Sequence, residues 1–356
     1  MSVASLCLFA AVSFTAEPPE EQAGPTDPAA VEPATTGGKV EEPADPAKAK
    51  LPEPKTLEDG VRLWADLPFR LAGGEVLRMD LALPPVGQPR NDDGRAPLMV
   101  FVHGGAWMAG SKLRYKPDIL MMAREGAAAA SIEYRLSRVV EGGRFVAPFP
   151  AALQDVRAAL AFLVNRKGDL QIDPERIALI GDSAGGHLSL LAALSANGDP
   201  EIAQSEDQST GDASKSEPAG ESEIPRIPVA TVVNLFGVTD MPAYYTGSRH
   251  ARVALTLFLQ GHLAVREAAY RAASPVQFVD EDDPPVLTLH GTADSVVPYD
   301  QAVRLHAALK EAGVANELVP VDNGRHGLFA QRNFVRRQVV DYLAERLVKA
   351  DDGESR

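Results

Sequence analysis

The sequence of 356 residues contains one cysteine, no basic stripe and no apolar run long enough to span a bilayer. Because Cys7 has no second cysteine to pair with, an intrachain disulfide is excluded. The net charge of −14, most of it in residues 17–55 and 197–228, argues against a nucleic-acid partner and provides no polybasic segment for anionic membranes. We therefore expect neither a nucleic-acid partner nor stable membrane insertion.

Three segments lack the pattern of a folded core. Residues 1–16 hold a short apolar stretch followed by small residues, which is typical of a signal peptide and predicts export to the periplasm or the medium. Residues 17–56 are rich in Pro, Glu and Ala and predict a disordered tether. Residues 197–224 are acidic and rich in Ser, and predict a disordered surface insertion. This leaves residues 57–350 as the folded domain.

That domain alternates between predicted strands and predicted helices. Continuous apolar runs such as 97–102 and 177–180 are typical of strands buried on both faces of a sheet, and residues 149–164 have helical spacing. Further predicted strands are 76–83, 127–134, 229–235, 285–289 and 317–321, and further predicted helices are 186–196, 299–312 and 330–348. The alternation predicts an α/β fold, with a mostly parallel central sheet and helices on both faces.

The segment IALIGDSAGGHLSL, residues 177–190, lacks what a phosphate-binding loop needs. No lysine follows its glycines, and their spacing does not fit G-x-G-x-x-G. The segment matches G-x-S-x-G with Ser183 between a strand and a helix, which is the context of a nucleophile elbow. The helix that follows directs its N–H groups toward the serine, where negative charge develops during acyl transfer. Ser183 is therefore the candidate nucleophile.

A serine nucleophile needs a base and an orienting acid, and after such an elbow the acid precedes the histidine along the chain. Asp294 lies in the turn after an apolar strand, and His326 lies in a loop beyond the next strand. Both positions fall at the carboxyl edge of the sheet, where the sites of α/β proteins lie. Asp240 also follows a strand and stays open as the alternative acid. Packing, turn-supporting or surface roles are expected for five further histidines: His187, His250, His262, His290 and His306.

The motif HGGAW, residues 103–107, also follows a buried strand. Its glycines allow backbone N–H groups to approach a substrate carbonyl closely, as an oxyanion hole requires. The predicted donors are the N–H groups of Gly105, Ala106 and Ala184. The residues predicted to support the turn are His103, Gly104 and Trp107.

Together these motifs resemble those of the α/β-hydrolase esterases with an HGGxW sequence, which include bacterial carboxylesterases and bifunctional carbohydrate/feruloyl esterases. The matching segments are HGGAW (103–107), EYRLS (133–137), FPAALQDV (149–156), IDPERIALIGDSAGGHL (172–188), FGVTD (236–240), ASPVQFV (273–279), DDPPVLTLHGTADSVVP (282–298) and GRHG (324–327). The resemblance implies an α/β-hydrolase fold and ester hydrolysis without a cofactor or metal. It also implies that Ser183 is the nucleophile, Asp294 the acid and His326 the base.

The sequence departs from this pattern in three places. The insertion 197–224 is not part of it. Ala106 replaces a glycine of the triple-glycine version of the oxyanion motif, and its methyl group is expected to restrict bulky acyl groups. Residues 241–272 predict a small cap-like insertion that brings Tyr244 and Tyr245 to the substrate.

These observations predict a serine carboxylesterase that acts on small-molecule or carbohydrate esters. Export and the resemblance favour acetyl or feruloyl esters of polysaccharides. Amide hydrolysis, by a formamidase or a peptidase of the same fold, is the alternative chemistry. A non-catalytic ligand-binding or adhesion protein on this fold is the alternative of another class, and the presence of all three triad residues argues against it.

Overall fold

A computed structural model describes residues 46–88, 94–195, 224–249 and 251–347. Its strands are β1 (Lys55–Thr56), β2 (Arg62–Ala72), β3 (Glu75–Leu83), β4 (Ala96–Val102), β5 (Ala128–Ile132), β6 (Arg138–Val139), β7 (Phe145–Val146), β8 (Ile172–Asp182), β9 (Thr231–Leu235), β10 (Val286–Gly291) and β11 (Asn316–Val321). Its helices are α1 (Lys116–Arg124), α2 (Ala151–Val164), α3 (Lys167–Leu170), α4 (Ala184–Leu194), α5 (Met241–Gly247), α6 (Ala251–Phe258), α7 (Leu263–Ala272), α8 (Asp300–Glu311) and α9 (Arg332–Leu347).

The central sheet has nine strands in the order β1-β2-β3-β5-β4-β8-β9-β10-β11. The pairs from β5 to β11 are all parallel, whereas the pairs β1–β2, β2–β3 and β3–β5 are antiparallel. The sheet is therefore mostly parallel, as predicted. Parallel strands end at the same edge of a sheet, so the loops after β4, β8, β10 and β11 all leave from one side.

Helices cover both faces of this sheet, which is also as predicted. Along β4, Leu98, Val100 and Val102 belong to one core cluster, whereas Met99 and Phe101 belong to the other. The first cluster packs under α2, α4 and α8, and the second under α1 and α9. Because successive side chains of a strand point to opposite faces, a strand covered on both sides is apolar throughout.

The sequence pattern failed to predict β2 and α1. β2 contains two register shifts against β3, between Trp64 and Leu67 and between Pro68 and Arg70. Each bulge shifts the alternation of apolar and polar residues by one position. The sequence of β2 therefore lacks the regular alternation by which a strand is recognised.

The predicted tether ends earlier than its expected boundary at residue 56. The guanidinium of Arg166 donates to the carbonyl oxygens of Ala47 and Ala49, at 2.7 and 3.1 Å. The indole Nε1 of Trp64 donates to the carbonyl of Pro52 at 2.6 Å, and β1 then adds to the edge of the sheet. The prediction of disorder is therefore wrong for residues 46–56, whose backbone oxygens are bound by long side chains of the domain. The segments 1–45 and 197–223 lie outside the described residues, and with them the predicted signal peptide and insertion.

Residues 241–272, the predicted cap-like segment, contain α5, α6 and α7 between β9 and β10. The ring of Phe258 in α6 stacks on Trp107, with centroids 4.6 Å apart. The carbonyl of Phe258 also accepts a hydrogen bond from the backbone of Phe149 at 2.8 Å. None of the helices in the described part of the chain is long and apolar enough to cross a membrane.

Candidate functional site

Ser183 lies in the sharp turn between β8 and α4, with φ 51° and ψ −117°. Its backbone N–H donates to the carbonyl of Leu235 at 2.8 Å, which fixes this strained conformation. The turn requires glycine at position 185, because a Cβ there would lie 2.0 Å from the carbonyl oxygen of Val102. The small residues around Ser183 therefore let the turn pack directly against the end of β4.

The structure brings Ser183, Asp294 and His326 together in one hydrogen-bonded chain. His326 Nδ1 lies 2.8 Å from Asp294 Oδ2, and His326 Nε2 lies 3.1 Å from Ser183 Oγ. Because the carboxylate accepts the Nδ1 proton, Nε2 is left as the acceptor for the serine hydroxyl. The His326 side chain is 24% exposed, so a substrate can reach these three hydrogen-bonded residues from one side.

Both carboxylate oxygens of Asp294 contact neighbouring groups. Its Oδ1 accepts hydrogen bonds from the backbone N–H groups of Val296 and Val297, each at 2.9 Å. His290 Nε2 donates to the carbonyl of Val297 at 2.8 Å and lies 3.5 Å from Asp294 Oδ2. Burial opposes ionisation, but the contacts with His290 and His326 outweigh it and hold the pKa of Asp294 well below its usual range. The carboxylate is therefore charged and fixed in orientation.

The alternative acid, Asp240, has a different role. Its Oδ1 accepts the backbone N–H of Ala243 at 3.0 Å and so caps the start of α5, while Arg304 lies 3.5 Å from its Oδ2. The structure therefore places Asp294, and not Asp240, against His326.

The turn after β4 has three consecutive residues with positive φ: Gly105 at 131°, Ala106 at 53° and Trp107 at 62°. A Cβ at position 105 would lie 2.0 Å from the carbonyl oxygen of Ala109, so only glycine fits there. Within the described part of the chain, the N–H groups of Gly105, Ala106 and Ala184 donate no hydrogen bond. These three groups are therefore available to an anionic oxygen.

Asp182 connects this turn to the elbow, a role that the sequence reasoning missed. Its Oδ1 accepts the backbone N–H of Gly104 at 2.9 Å and the hydroxyl of Tyr115 at 2.6 Å. Arg114 contacts the same carboxylate through Nε at 3.1 Å and through Nη2 at 2.9 Å. Asp182 precedes Ser183 in the motif and could have been suspected. Arg114 and Tyr115 carry no local signal, because they are brought in by the tertiary structure alone.

His103 is one of the residues predicted to support the turn, and it contacts both the turn and Tyr134. Its ring stacks on Tyr134 with centroids 4.3 Å apart, and its Nδ1–H donates to the carbonyl of Gly104 at 2.9 Å. The Tyr134 hydroxyl in turn donates to the His103 carbonyl at 2.9 Å. Burial lowers the pKa of His103, so the ring is neutral and acts through its packing.

Trp107 joins the turn to α4 and to the cap-like segment. Its Nε1–H donates to His187 Nδ1 at 3.0 Å, and His187 Nε2–H donates to the carbonyl of Ala273 at 2.8 Å. This arrangement needs a neutral His187, since the protonated ring has no acceptor for the indole. Burial lowers the pKa of His187 to about 4. The packing role predicted for His187 is therefore joined to a hydrogen-bonding role.

We expect His187 to make the fold sensitive to acid. The unfolded chain takes up a proton at His187 near its usual pKa of 6.5, whereas the folded chain does so only near 4. Stability is therefore lost as the pH falls through this window, by on the order of 3 kcal/mol at its lower end. Urea unfolding at about pH 7 and about pH 4.5 measures the loss.

The matched control for this prediction is His187→Gln. Glutamine can accept from the Trp107 indole and donate to Ala273, but it does not titrate. The variant should lose clearly less stability between the two pH values than the natural protein. An equal loss in both proteins would assign the acid sensitivity to other groups.

The two tyrosines predicted to bind substrate lie in different surroundings. Tyr244 is buried, and burial raises its pKa to about 12, with the charge of Asp294 acting in the same direction. It therefore lies within electrostatic range of the triad. Tyr245 hydrogen-bonds through its hydroxyl to His262 at 3.1 Å and packs edge-on against Tyr270, so its contacts are within the cap-like segment.

The remaining histidines are placed away from the triad. His306 Nδ1 lies 2.9 Å from the side-chain oxygen of Asn316, and burial lowers its pKa. His262 is exposed and contacts Tyr245. His250 lies outside the described residues. The surface and packing roles expected for His262 and His306 therefore agree with their positions.

Comparison with known proteins gives two family matches. A family model described as BD-FAE matches residues 79–309, and one described as TAP-like protein matches residues 265–355. The chain is 30% identical over 289 residues to esterase LipQ of Mycobacterium tuberculosis (strain ATCC 25618 / H37Rv), covering 79% of this chain and 61% of LipQ. The chain thus spans less than two thirds of that relative.

Solved structures show the same fold. A truncated carbohydrate esterase from gut microbiota aligns with a TM-score of 0.62 and 26% identity, over 84% of this chain and 100% of that one. Esterase Est2 of the Planctomycetes species Thermogutta terrifontis aligns with a TM-score of 0.60 and 22% identity, over 83% of this chain and 95% of that one. The predicted fold class, an α/β-hydrolase fold, is confirmed.

Proposed function

Since this chain belongs to the BD-FAE family, we propose that it is a serine carboxylesterase that works through an acyl-enzyme. The observation that carries this proposal is the hydrogen-bonded chain from Asp294 through His326 to Ser183, with its 2.8 and 3.1 Å contacts. A serine in a strained turn, an imidazole nitrogen beside its hydroxyl and an oriented carboxylate are the groups that acyl transfer needs.

Acylation begins when Ser183 Oγ attacks the acyl carbon of the ester. The hydroxyl proton passes to His326 Nε2, which lies 3.1 Å away. Asp294 keeps the other ring proton on Nδ1 and stabilises the imidazolium that forms. When the tetrahedral intermediate collapses, the bond to the alcohol oxygen breaks and Nε2–H protonates the leaving alcohol.

The negative charge of that intermediate falls on the former carbonyl oxygen. The N–H groups of Gly105, Ala106 and Ala184 are the proposed donors, because none of them is engaged within the described residues. The N–H of Gly104 is bound to Asp182 and is not available. One such donor contributes about 2.7–4 kcal/mol to transition-state stabilisation.

Deacylation repeats the same steps with water. His326 Nε2 takes a proton from water, whose oxygen attacks the acyl carbon. Collapse of the second intermediate breaks the bond to Ser183 Oγ, which recovers its proton from Nε2–H. The products are the alcohol, the carboxylic acid and the free enzyme, with no cofactor in the cycle.

For the substrate we propose acetyl or feruloyl esters of polysaccharides. The similarity to a carbohydrate esterase, at 26% identity over the whole of that chain, supports this class. The test is a panel of acetylated xylan, methyl ferulate, N-formylkynurenine and peptide amides, assayed with the full chain. Turnover of the two esters and not of the amides is the expected result. Preference for an amide would replace esterase by amidase chemistry on the same triad.

We expect Ala106→Gly to widen acyl specificity. Ala106 holds φ 53° at the oxyanion turn, which glycine adopts without strain, and the change removes one methyl group. The ratio of kcat/KM for p-nitrophenyl hexanoate to that for the acetate should rise by about tenfold, since one methyl group in a pocket has an effect of this size. Ala109→Gly, at an exposed position of the same loop, is the control and should leave the ratio unchanged. An unchanged ratio in Ala106→Gly would remove this methyl from acyl selection.

A further inference from the structure

A cavity of about 160 Å³ lies between α1, α9 and the face of the sheet that these helices cover. Apolar side chains from the sheet and from both helices line it: Phe101, Met122, Ile180, Phe236, Val335 and Val339. Neither Ser183 nor His326 is part of its lining. The cavity is therefore separate from the triad and is not used in the proposed reaction.

Its size and lining suit a small ring. A cavity of about 150 Å³ lined by aliphatic and aromatic side chains is large enough to hold benzene. The present cavity has nearly this volume and the same kind of lining, but it also reaches polar side chains at its rim. An occupant can thus be apolar at one end and polar at the other.

The rim carries an excess of positive charge. Arg114 is paired with Asp182 at 2.9 Å. Burial raises the pKa of Asp118, and the positive charge of nearby Arg336 acts in the opposite direction. Arg332 is exposed, and among the described residues its guanidinium makes no hydrogen bond and no ion pair. One cation therefore remains uncompensated at the rim of an apolar cavity.

We propose that this cavity binds a small aryl carboxylate, with the ring among the apolar side chains and the carboxylate on Arg332. A guanidinium recognises a carboxylate through two parallel hydrogen bonds, and the apolar interior accepts the ring. The proposed ligand touches no triad residue, but two residues that line the cavity adjoin the triad. Asp182 precedes Ser183, and the ring of Phe236 packs 5.0 Å from that of His326.

The test is to titrate the full chain with sodium benzoate at constant ionic strength and to measure binding by isothermal titration calorimetry. Saturable binding with one site is expected, and benzamide, which has the ring without the charge, should bind about tenfold more weakly. Arg332→Gln should weaken benzoate binding by about tenfold as well. The control is Arg337→Gln, an exposed arginine of the same helix outside the cavity lining, which should bind benzoate like the natural protein.

Two further variants test whether the benzoate ring occupies the cavity. Val339→Phe and Val335→Phe each fill the cavity and should abolish binding, provided that the unfolding midpoint shows a folded variant. Sulfonylation of Ser183 with phenylmethanesulfonyl fluoride should leave benzoate binding unchanged. Absence of saturable binding, equal binding of benzamide, or loss of binding on sulfonylation would each overturn the proposal. Hydrolysis of p-nitrophenyl acetate is measured separately, so that an absence of benzoate binding can be distinguished from an absence of esterase activity.

Discussion

Replacement of Ser183 by alanine is expected to lower kcat for p-nitrophenyl acetate by about 10⁴-fold or more. The reason is that Ser183 Oγ lies 3.1 Å from the acceptor nitrogen of His326, and no other nucleophile among the described residues does so. KM should change little, because the hydroxyl contributes mainly to the transition state. Initial rates with and without the substitution, at saturating ester, measure the effect.

Ser189→Ala is the matched control for this prediction. Ser189 lies on α4, the helix that begins directly after Ser183. It is fully buried, and its hydroxyl has no hydrogen-bond partner among the described residues. Its loss should therefore leave both activity and stability nearly unchanged. Activity that survives in Ser183→Ala would sink the covalent mechanism, and a comparable loss in Ser189→Ala would point to damage of α4 instead.

The second large effect is expected from Asp294→Asn, with a loss of about 10⁴-fold in kcat. The amide presents an N–H or a weaker acceptor to His326 Nδ1, 2.8 Å away, and so favours the tautomer with its proton on Nε2. That tautomer cannot accept the proton of Ser183. The measurement is kcat at saturating p-nitrophenyl acetate and one fixed pH, with the fold checked by the unfolding midpoint.

Asp240→Asn is the paired control. The side chain of Asp240 caps α5, and asparagine is an equally good N-cap, so the helix should persist. We expect kcat within about twofold of the natural protein, since Asp240 does not contact His326. A larger loss in Asp240→Asn than in Asp294→Asn would transfer the role of the acid to Asp240.

Residues that take part in the reaction differ from residues that only hold the site in shape. Asp182 and His187 are examples of the scaffold: the first fixes Gly104 and the second fixes Trp107, and neither touches a reacting atom. Substitutions there should act through the shape of the oxyanion turn and through stability. Family membership alone does not tell a catalytic residue from a positioning residue, because that distinction depends on which atoms are in contact.

Much of the candidate site was predictable because its residues follow local signals. A continuous apolar run predicts a buried strand, and a glycine-rich turn after it predicts a residue at the edge of the sheet. Ser183, Asp294 and His326 each stand in such a place, as do the glycines after β4. The folded domain's start was placed too late, because the contacts of residues 46–56 come from distant side chains such as Arg166.

The sequence by itself thus determined the alternation of strands and helices, the elbow serine and the order of its partners, since these depend on periods and spacings within short segments. Only the tertiary structure places Asp294, and not Asp240, against His326. β10 lies between β9 and β11, so an acid at its end faces the loop that carries His326. It also decided the contacts of Asp182 with Arg114 and the cavity under α9. The order of strands in a sheet and the packing of helices across it join residues far apart in the chain, and no local pattern records them.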